Sequence, residues 1–318
     1  MLHSGWIVRH SLGLICLCFL ATKAICQEPA KPAEPDSVLS KFRERVPAVK
    51  EFASNPWTKN WIDTVADLPV VQPRTVRVKE RDVQVDENRF YNRYGSPLAY
   101  ARLLDIAMNH GYQPKHKSKV FDFGYGSIGH LQMLARSGLD VTAVDVDALL
   151  PAIYDRTSGQ VGTGSIKLLS GRFPADDALV SEAGAGYGLF ISKNTLKLGY
   201  IHPTRELPDP RHRIDLGVTD ETFLSKVADM LNPGGLLVIH NLCPAKSPAD
   251  KPYVSWAEGE CPFPRALFEN HGFEVLEFDV DESATARKLG KALGWDQPGG
   301  MDLEKDLFAW YTVARKKS

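Results

Sequence analysis

The sequence predicts an α/β fold built on a mostly parallel sheet. Short apolar runs typical of buried strands recur along the chain, and helical segments separate several of them. The runs lie at residues 120–123, 141–145, 166–169, 187–191, 236–240, 273–280 and 307–314. The first run leads directly into a glycine-rich turn and then a helix, which is typical of the strand–turn–helix unit of such folds.

The composition is that of a globular protein without a strong electrostatic preference. The chain has 318 residues, of which 43% are apolar, enough for one large domain with a substantial core. Its formal net charge is -1, so the chain as a whole has no bias toward nucleic acid or an anionic membrane. We therefore expect neither as a partner.

Residues 1–26 predict an export signal. Arg9 precedes an apolar segment, residues 11–21, that is too short to cross a bilayer comfortably, and small residues follow it. Cleavage after Ala24 or Cys26 would give an exported protein, periplasmic or secreted, without a membrane span. Two alternatives stay open: the segment remains attached as an anchor, or the start codon is wrongly assigned and the protein is cytoplasmic.

Residues 27–36 are rich in proline, alanine and glutamate and predict a disordered linker, and residues 37–115 predict an N-terminal extension of helices and a hairpin. The pattern predicts a helix over 37–52, a short helix over 57–65, a hairpin over 75–85 and a helix from Ser96 to Gly111. Pro47 should end or kink the first of these helices.

The strand at 120–123 leads into three glycines, Gly124, Gly126 and Gly129, and an apolar-periodic helix follows. The first glycine allows a tight turn, and the second lets a cofactor approach the backbone without meeting a Cβ. The third lets the helix pack close to the strand. This spacing is typical of a nucleotide-cofactor site.

Two acids narrow the choice of cofactor. Asp122 precedes Gly124 by two residues, where a carboxylate would repel a pyrophosphate but would attract an ammonium group. Asp145 ends the strand at 141–145, at about the separation from the glycines at which an acid meets ribose hydroxyls. Together these acids favour S-adenosylmethionine (SAM) over NAD.

The glycine motif at 122–129, the strand end at Asp145 and the segment 231–239 resemble the motifs of class I SAM-dependent methyltransferases. The resemblance implies a Rossmann-like, doubly wound sheet of seven strands, with the last strand antiparallel beside strand six, in a domain spanning 116–318. The glycine loop would hold the methionine part of SAM, and Asp145 would hold the ribose. The methyl acceptor stays open.

The resemblance also implies further contacts with the cofactor. Tyr125 lies inside the glycine turn and Val146 follows the ribose-binding acid, so both are candidates. Adenine contacts in this family come from about the end of the third strand, which makes Arg172 and Phe173 candidates.

The N-terminal extension precedes the cofactor strand, where the family often carries a cap, although an extension that only packs against the domain is equally open. Tyr91 or Tyr94 could shield the sulfonium by a cation–π contact. Packing in the core is the alternative for both tyrosines.

Residues 192–203 follow the fourth strand, beyond whose carboxyl end ligands bind in open α/β sheets. By the resemblance, Asn194 would lie closest to the transferred methyl. Lys193, Lys197 and His202 could each act as a base or as an anchor for an acidic acceptor. Anchoring is preferred for the lysines, since a lysine base needs desolvation. His202 titrates in the useful range but is equally a structural turn residue.

Several cationic side chains follow the fourth strand: Lys193, Lys197, His202, Arg205, Arg211 and Arg213. Their density favours a small anionic acceptor, methylated on oxygen or nitrogen. The alternative is a solvated loop on which these charges pair with Glu206, Asp209 and Asp215. No Cys and His spacing typical of a metal site occurs, so no metal is expected.

Two other functions stay open. An exported, non-catalytic protein could bind SAM or a nucleoside with the same fold, although the intact acids and glycines count against it. An NAD(P)-dependent oxidoreductase is disfavoured by Asp122 and by the lack of a Tyr-x-x-x-Lys pair after the fourth strand. Export would also expose Cys243 and Cys261 to an oxidising compartment, where they could form a disulfide.

Overall fold

The structure is a computed structural model that describes residues 37–154 and 157–318. The predicted signal segment 1–26 and linker 27–36 lie outside the described residues. Within the two described ranges, no helix is both long and apolar enough to cross a membrane.

Helices and strands alternate over most of the chain. The helices are α1 (Val38–Lys50), α2 (Pro56–Asp63), α3 (Glu87–Asn92), α4 (Ala101–Asn109), α5 (Gly129–Arg136), α6 (Leu149–Tyr154), α7 (Asp177–Ala183), α8 (Leu198–Ile201), α9 (Asp220–Met230), α10 (Arg265–Asn270), α11 (Ser283–Ala292) and α12 (Leu303–Asp306). The strands are β1 (Arg74–Val78), β2 (Arg81–Val85), β3 (Lys119–Phe123), β4 (Asp140–Asp145), β5 (Gly159–Val161), β6 (Gly164–Ser170), β7 (Tyr187–Lys193), β8 (Leu231–Cys243), β9 (Phe273–Asp281) and β10 (Phe308–Lys316).

The main sheet has the strand order β5-β6-β4-β3-β7-β8-β10-β9. Strands β6, β4, β3, β7 and β8 pair in parallel, and β10 runs antiparallel to both β8 and β9. The predicted α/β fold with an antiparallel last strand is therefore confirmed. The sheet has eight strands because the three-residue β5 adds an antiparallel edge strand beside β6, which the sequence pattern did not reveal.

The order of the strands decides where a ligand can bind. The chain builds from β3 outward through β4 to β6, and then crosses back to place β7 on the other side of β3. The crevice beyond the carboxyl ends of β3 and β7 is therefore the topological switch point of the sheet, where ligands bind in open α/β folds.

Burial on both faces explains the continuous apolar runs of the central strands. Val120 and Phe121 are consecutive on β3, and each lies in a different core cluster because successive strand residues point to opposite faces. The Phe121 ring lies 5.0 Å from that of Phe190 on β7 and 5.2 Å from that of Phe173, which follows β6. These aromatic contacts join the carboxyl halves of three neighbouring segments.

The N-terminal extension packs on one face of the sheet domain. Helix α1 begins at its N-cap Ser37 and continues through Pro47 to Lys50, so the proline does not end it. The predicted hairpin is confirmed as the separate pair β1 and β2. Within the extension, Asp105 joins α4 to the start of α2, because its carboxylate accepts hydrogen bonds from the Asn55 N–H at 2.9 Å and from Ser54 Oγ at 2.8 Å.

Cys243 and Cys261 are both buried and are free thiols. The structure therefore does not contain the disulfide that was considered on the basis of the predicted export. Burial raises the pKa of the Cys243 thiol to about 11. Both side chains therefore act as small packing residues in this fold.

The docking of the extension can be tested at Trp61, which is buried on α2 where this helix packs against α4 and α5. Trp61→Ala should lower the free energy of unfolding by about 3–5 kcal/mol through lost burial and a residual cavity. The exposed Lys59→Ala on the same helix should change it by no more than about 0.5 kcal/mol. Urea denaturation measures both, and equal effects of the two substitutions would contradict this packing.

Candidate functional site

A cavity of about 870 Å³ lies at the switch point, beyond the carboxyl ends of β3, β4 and β7. Thirteen of the residues singled out from the sequence line it: Tyr94, Gly124, Tyr125, Gly126, Asp145, Val146, Arg172, Phe173, Lys193, Asn194, Lys197, Arg211 and Arg213. Asp122, Gly129 and His202, which the sequence also predicted for the site, are not among its lining residues. The topology thus brings together segments that are far apart in the chain.

The glycine turn is backed by side chains of the protein itself. Gly124 and Gly126 have φ angles of 79° and 56°, in the left-handed region that favours glycine. A Cβ at Gly124 would lie 2.1 Å from Thr195 Oγ1, and one at Gly126 would lie 2.7 Å from Tyr94 Cδ2. The two glycines therefore let Thr195 and Tyr94 close on the turn, in addition to any ligand that approaches it.

Gly129 acts in packing and does not line the cavity. It is the first residue of α5, and a Cβ there would lie 3.0 Å from Pro97 Cβ and 3.3 Å from Tyr91 Cδ1. The sequence predicted a close approach of this helix to its strand. The structure shows a close approach to the N-terminal extension.

Asp145 ties the end of β4 to the glycine turn. Its Oδ2 accepts the Gly126 N–H at 3.0 Å, and its Oδ1 accepts the Asp147 N–H at 2.9 Å. Burial raises the pKa of this carboxyl, while the two backbone hydrogen bonds act in the opposite direction. Each carboxylate oxygen can accept a second hydrogen bond, so the side chain can still meet a ligand in the cavity.

The neighbouring Val146 presents an apolar surface to the cavity, because its side chain is 66% exposed although it directly follows a buried strand. Across the cavity wall, Phe173 is almost fully buried and packs between Phe121 and Phe123, so only its edge can meet a ligand. Arg172 lines the rim and pairs with Asp215 at 3.1 Å.

Asp122 is fully buried and does not line the cavity. Its Oδ2 lies 2.5 Å from Nε2 of His130 on α5, and its Oδ1 has no hydrogen-bond partner among the described residues. The His130 ring stacks on Tyr100, with ring centroids 3.6 Å apart. Tyr100 lines the cavity, so the predicted ammonium-binding acid lies behind a layer of aromatic rings and is not open to a ligand.

Two buried lysines lie at and just after the end of β7: Lys193 is its last residue, and Lys197 precedes α8. Lys193 is 7% exposed and lies with its Nζ 5.5 Å from the centre of the Tyr100 ring. Burial, together with the nearby charge of Lys197, lowers the pKa of the Lys193 amine to about 7, against an opposing effect of Asp122. Burial also lowers the pKa of Lys197 to about 8, and its Nζ donates to the Leu242 carbonyl at 2.5 Å.

Asn194 turns the chain at the end of β7. Its φ of 64° lies in the left-handed region, which asparagine tolerates better than most residues. Its side-chain Oδ1 accepts the Leu242 N–H at 2.7 Å, and its own N–H donates to the His240 carbonyl at 3.1 Å. The amide is therefore held against β8 while the residue lines the cavity.

Several charges that follow β7 are already paired. Arg211 forms a bidentate pair with Asp209, and the Nε2 of His202 lies 2.7 Å from Asp220 outside the cavity lining. Arg205 donates to backbone carbonyls, including that of Lys251 at 2.8 Å, and lies over the Tyr253 ring. The alternative of pairing with acids on a loop, which the sequence left open, thus describes Arg211 and His202, whereas carbonyl oxygens and an aromatic ring hold Arg205.

The two candidate tyrosines of the extension differ sharply. Tyr91 is fully buried, and its hydroxyl donates to the Pro69 carbonyl at 2.8 Å, so it is a core residue. Tyr94 is 59% exposed and lies over the glycine turn, with its hydroxyl 3.3 Å from Asp147 Oδ2. Arg93 lies over the Tyr94 ring and pairs with the same carboxylate at 2.7 Å. Tyr94 is the cavity-facing residue of the two.

Some lining residues had no distinct signal in the sequence: Tyr100, Thr195, Tyr200, Leu242, Pro244 and Trp256. Tertiary folding brings them to the cavity, and the hydrophobic periodicity of the sequence does not predict such contacts. The desolvation of Lys193 did have a signal, since this lysine directly follows the buried run of β7. Across residues 37–154 and 157–318, no group of three His, Cys, Asp or Glu side chains is arranged to hold a metal ion.

Comparison with known proteins finds likeness at the level of structure. No family model matches the sequence, and no curated protein matches it. Among solved structures, the phosphoethanolamine N-methyltransferase 2 of Haemonchus contortus, in complex with S-adenosyl-L-methionine, matches at 15% identity and a TM-score of 0.42. The match covers 72% of this chain and 55% of that one, so the chain spans about half of that enzyme.

Two further solved structures show how broad this likeness is. A TehB-like SAM-dependent methyltransferase from Corynebacterium glutamicum matches at 19% identity and a TM-score of 0.34, over 69% of this chain and 88% of that one. The cyclase SpnF matches at 13% identity and a TM-score of 0.40, over 91% and 99% of the two chains. Likenesses this weak identify neither a reaction nor a substrate.

The burial of Lys193 has a consequence for stability. The folded state lowers the pKa of this amine to about 7, so below the ordinary lysine value the unfolded chain binds the proton more readily. Lys193→Met should therefore raise the free energy of unfolding at pH 7 by on the order of 1–3 kcal/mol, and the gain should vanish as pH rises through about 10.4.

Urea denaturation at several pH values between 7 and 10.5 measures this gain, with Lys167→Met as the matched control, because Lys167 is half-exposed and pairs with Glu182. A destabilising Lys193→Met at pH 7, or a gain that does not decline with pH, would contradict the desolvation of Lys193.

Proposed function

We propose that the cavity binds SAM and that the protein transfers its methyl group to a small acceptor. The observation that carries this proposal is the position of Asp145 at the switch point. Its carboxylate is held by the Gly126 N–H, keeps free lone pairs toward the cavity and stands beside the exposed Val146. A carboxylate paired with an apolar neighbour suits a ribose carrying a flat base.

The other lining residues fit the remaining parts of SAM. The cavity of about 870 Å³ has the size of a site for a cofactor with a small second ligand. Tyr94 and Tyr100 supply aromatic faces for a sulfonium, and Arg172 with the edge of Phe173 lies where adenine contacts are expected. Asp122 contributes negative charge behind the wall and no direct contact. When bound, SAM supplies a methyl carbon activated by a positively charged sulfur.

A dinucleotide fits the same turn less well. A pyrophosphate needs free backbone N–H groups at the glycine turn. Here the Gly126 N–H donates to the Asp145 carboxylate, and the Gly124 N–H donates to the Val144 carbonyl at 2.8 Å. Two donors of the turn are thus engaged, which disfavours the NAD(P)-dependent oxidoreductase as an alternative.

The acceptor is proposed to be small and anionic, and to be methylated on oxygen or nitrogen. The support is the buried amine of Lys197 and the guanidinium of Arg213, which line the cavity together with Asn194. In a partly dry cavity such cations attract a carboxylate or phosphate more strongly than at the surface. His202, which lies outside the lining and pairs with Asp220, is not part of this proposal.

Isothermal titration calorimetry of the purified chain with SAM, S-adenosylhomocysteine and NAD tests the cofactor. We expect SAM and S-adenosylhomocysteine to bind in about the micromolar range and NAD to bind far more weakly. Stronger binding of NAD than of SAM would overturn the methyltransferase proposal. Binding of SAM without turnover of any acceptor would favour the non-catalytic SAM-binding alternative.

The role of Asp145 can be measured in the same titration. Asp145→Ala should weaken SAM binding by about 1–3 kcal/mol, because the ribose hydroxyls lose their acceptor and the Gly126 N–H is left without a partner. Asp140→Ala, at the opposite end of β4 where the carboxylate meets Lys117 and Ser165, is the matched control and should leave the affinity unchanged. If a folded Asp145→Ala protein bound SAM with wild-type affinity, the ribose would not bind at Asp145.

The charge of the acceptor can be tested by SAM consumption with metabolite pools sorted by charge. Anionic pools should support turnover, and Lys197→Ala should lower turnover at low acceptor concentration by about tenfold, the effect of losing roughly 1.4 kcal/mol of acceptor binding. Raising ionic strength should weaken any long-range attraction as the Debye length falls toward about 3 Å at 1 M. Turnover of only neutral or cationic pools would exclude an anionic acceptor.

A further inference from the structure

Lys193 has an environment different from that of the other buried lysine. It ends β7 immediately beside the glycine turn, since β7 is the parallel neighbour of β3. Its side chain is almost fully buried yet lines the cavity, and within the described residues its Nζ has no hydrogen-bond partner. By contrast, the Nζ of Lys197 already donates to the Leu242 carbonyl. The Lys193 amine therefore has its hydrogen-bonding capacity free for a ligand.

Charged groups approach Lys193 from each element packed around it. Asp122 on β3 favours its protonated form, and Lys197 opposes it. His130 on α5 is engaged with Asp122 behind Tyr100, and His240 on β8 is the register partner of Lys193.

The His240 side chain does not supply a proton to the lysine. Its Nε2 lies 2.6 Å from Glu282 Oε1, and Arg102 donates to the other oxygen of that carboxylate at 2.8 Å. Burial lowers the pKa of His240 in spite of the opposing effect of Glu282. Asp122 is thus paired with His130, and His240 is paired with Glu282. The lysine amine, by contrast, faces the cavity without a hydrogen-bond partner in the described part of the chain.

We propose that Lys193 is the general base of the methyl transfer and accepts the proton of the acceptor's attacking atom. This proposal rests on the proposed function and narrows its substrate class. The acceptor must present a heteroatom that carries a proton in solution, a protonated amine or a hydroxyl, together with an anionic group for Lys197 and Arg213. An acceptor whose attacking atom carries no proton at neutral pH, such as a carboxylate oxygen, would not need this residue.

The step balances with the groups present. The acceptor heteroatom forms the new bond to the methyl carbon, while the carbon–sulfur bond breaks and leaves its electron pair on sulfur. The proton on the heteroatom passes to the lone pair of Lys193 Nζ, which becomes an ammonium and later returns the proton to water. The burial that lowers the pKa of Lys193 to about 7 keeps much of the amine neutral at physiological pH, as a base requires.

The protonation of Lys193 can be measured without any activity. In protein labelled with ¹³C at lysine Cε, one resonance should titrate near pH 7, far below the ordinary value of about 10.4. The spectrum of Lys193→Arg should lack that resonance and so assign it. A Lys193 resonance that titrates above about pH 9 would overturn the proposal, since the amine would then be charged at neutral pH.

The catalytic role is tested by Lys193→Arg, which keeps a cation at the site but cannot act as a base near neutral pH. With a proton-bearing acceptor from the charge-sorted screen, kcat should fall by about 10²-fold or more, while KM and the affinity for SAM stay within about threefold. In the wild type kcat should rise with pH to a plateau above about 7, and the variant should lose this limb.

Three controls separate the possible outcomes. Lys167→Arg, on β6 and outside the cavity lining, should behave as wild type, and Lys197→Arg should raise KM more than it lowers kcat. Wild-type kcat and pH profile in Lys193→Arg would overturn the role as base. Failure of the proposed function can be distinguished from failure of the role as base. In that case the wild-type chain would bind no SAM in calorimetry, while the Lys193 resonance would still titrate near pH 7.

Discussion

The hydrogen bond from the Gly126 N–H to the Asp145 carboxylate is the constraint on which the rest of the site depends. It joins the turn after β3 to the end of β4, two strands whose parallel register places Phe123 beside Val144. The bond forms because Gly126 adopts a positive φ that directs its N–H toward the neighbouring strand. With the turn fixed in this way, Thr195 and Tyr94 can close on its glycines and define the cavity.

The two buried lysines that line the cavity lower the stability of the fold. Lys193 ends a strand whose preceding residues are buried, Lys197 follows four residues later, and burial removes much of the hydration of both amines. A fold can tolerate this cost when a large core compensates for it, and here two core clusters on the two faces of the sheet do so. Two buried amines that line one cavity are easier to explain by chemistry than by architecture.

The sequence predicted the elements better than it predicted their mutual contacts. Apolar runs and glycines gave the order of the strands and the turn, and Asp145 and Val146 follow from the ends of those strands. Burial could not be predicted in the same way: nothing in the spacing of Asp122 shows that His130, the second residue of α5, would enclose it. The sequence did not predict the three-residue β5 or the short helix α3, because segments this short show no hydrophobic periodicity.

Although Asp122 is enclosed and does not line the cavity, it influences the pKa of Lys193, which does. Its Oδ2 lies against Nε2 of His130, whose ring stacks on Tyr100, and the Tyr100 ring in turn lies below the Lys193 amine. Asp122 therefore raises the pKa of Lys193 through space, while burial and Lys197 lower it further than Asp122 can restore. The resulting value near neutrality is a balance among separate elements. Under the role proposed for Lys193, the acid would influence the reaction by setting the protonation of the lysine and not by holding a ligand.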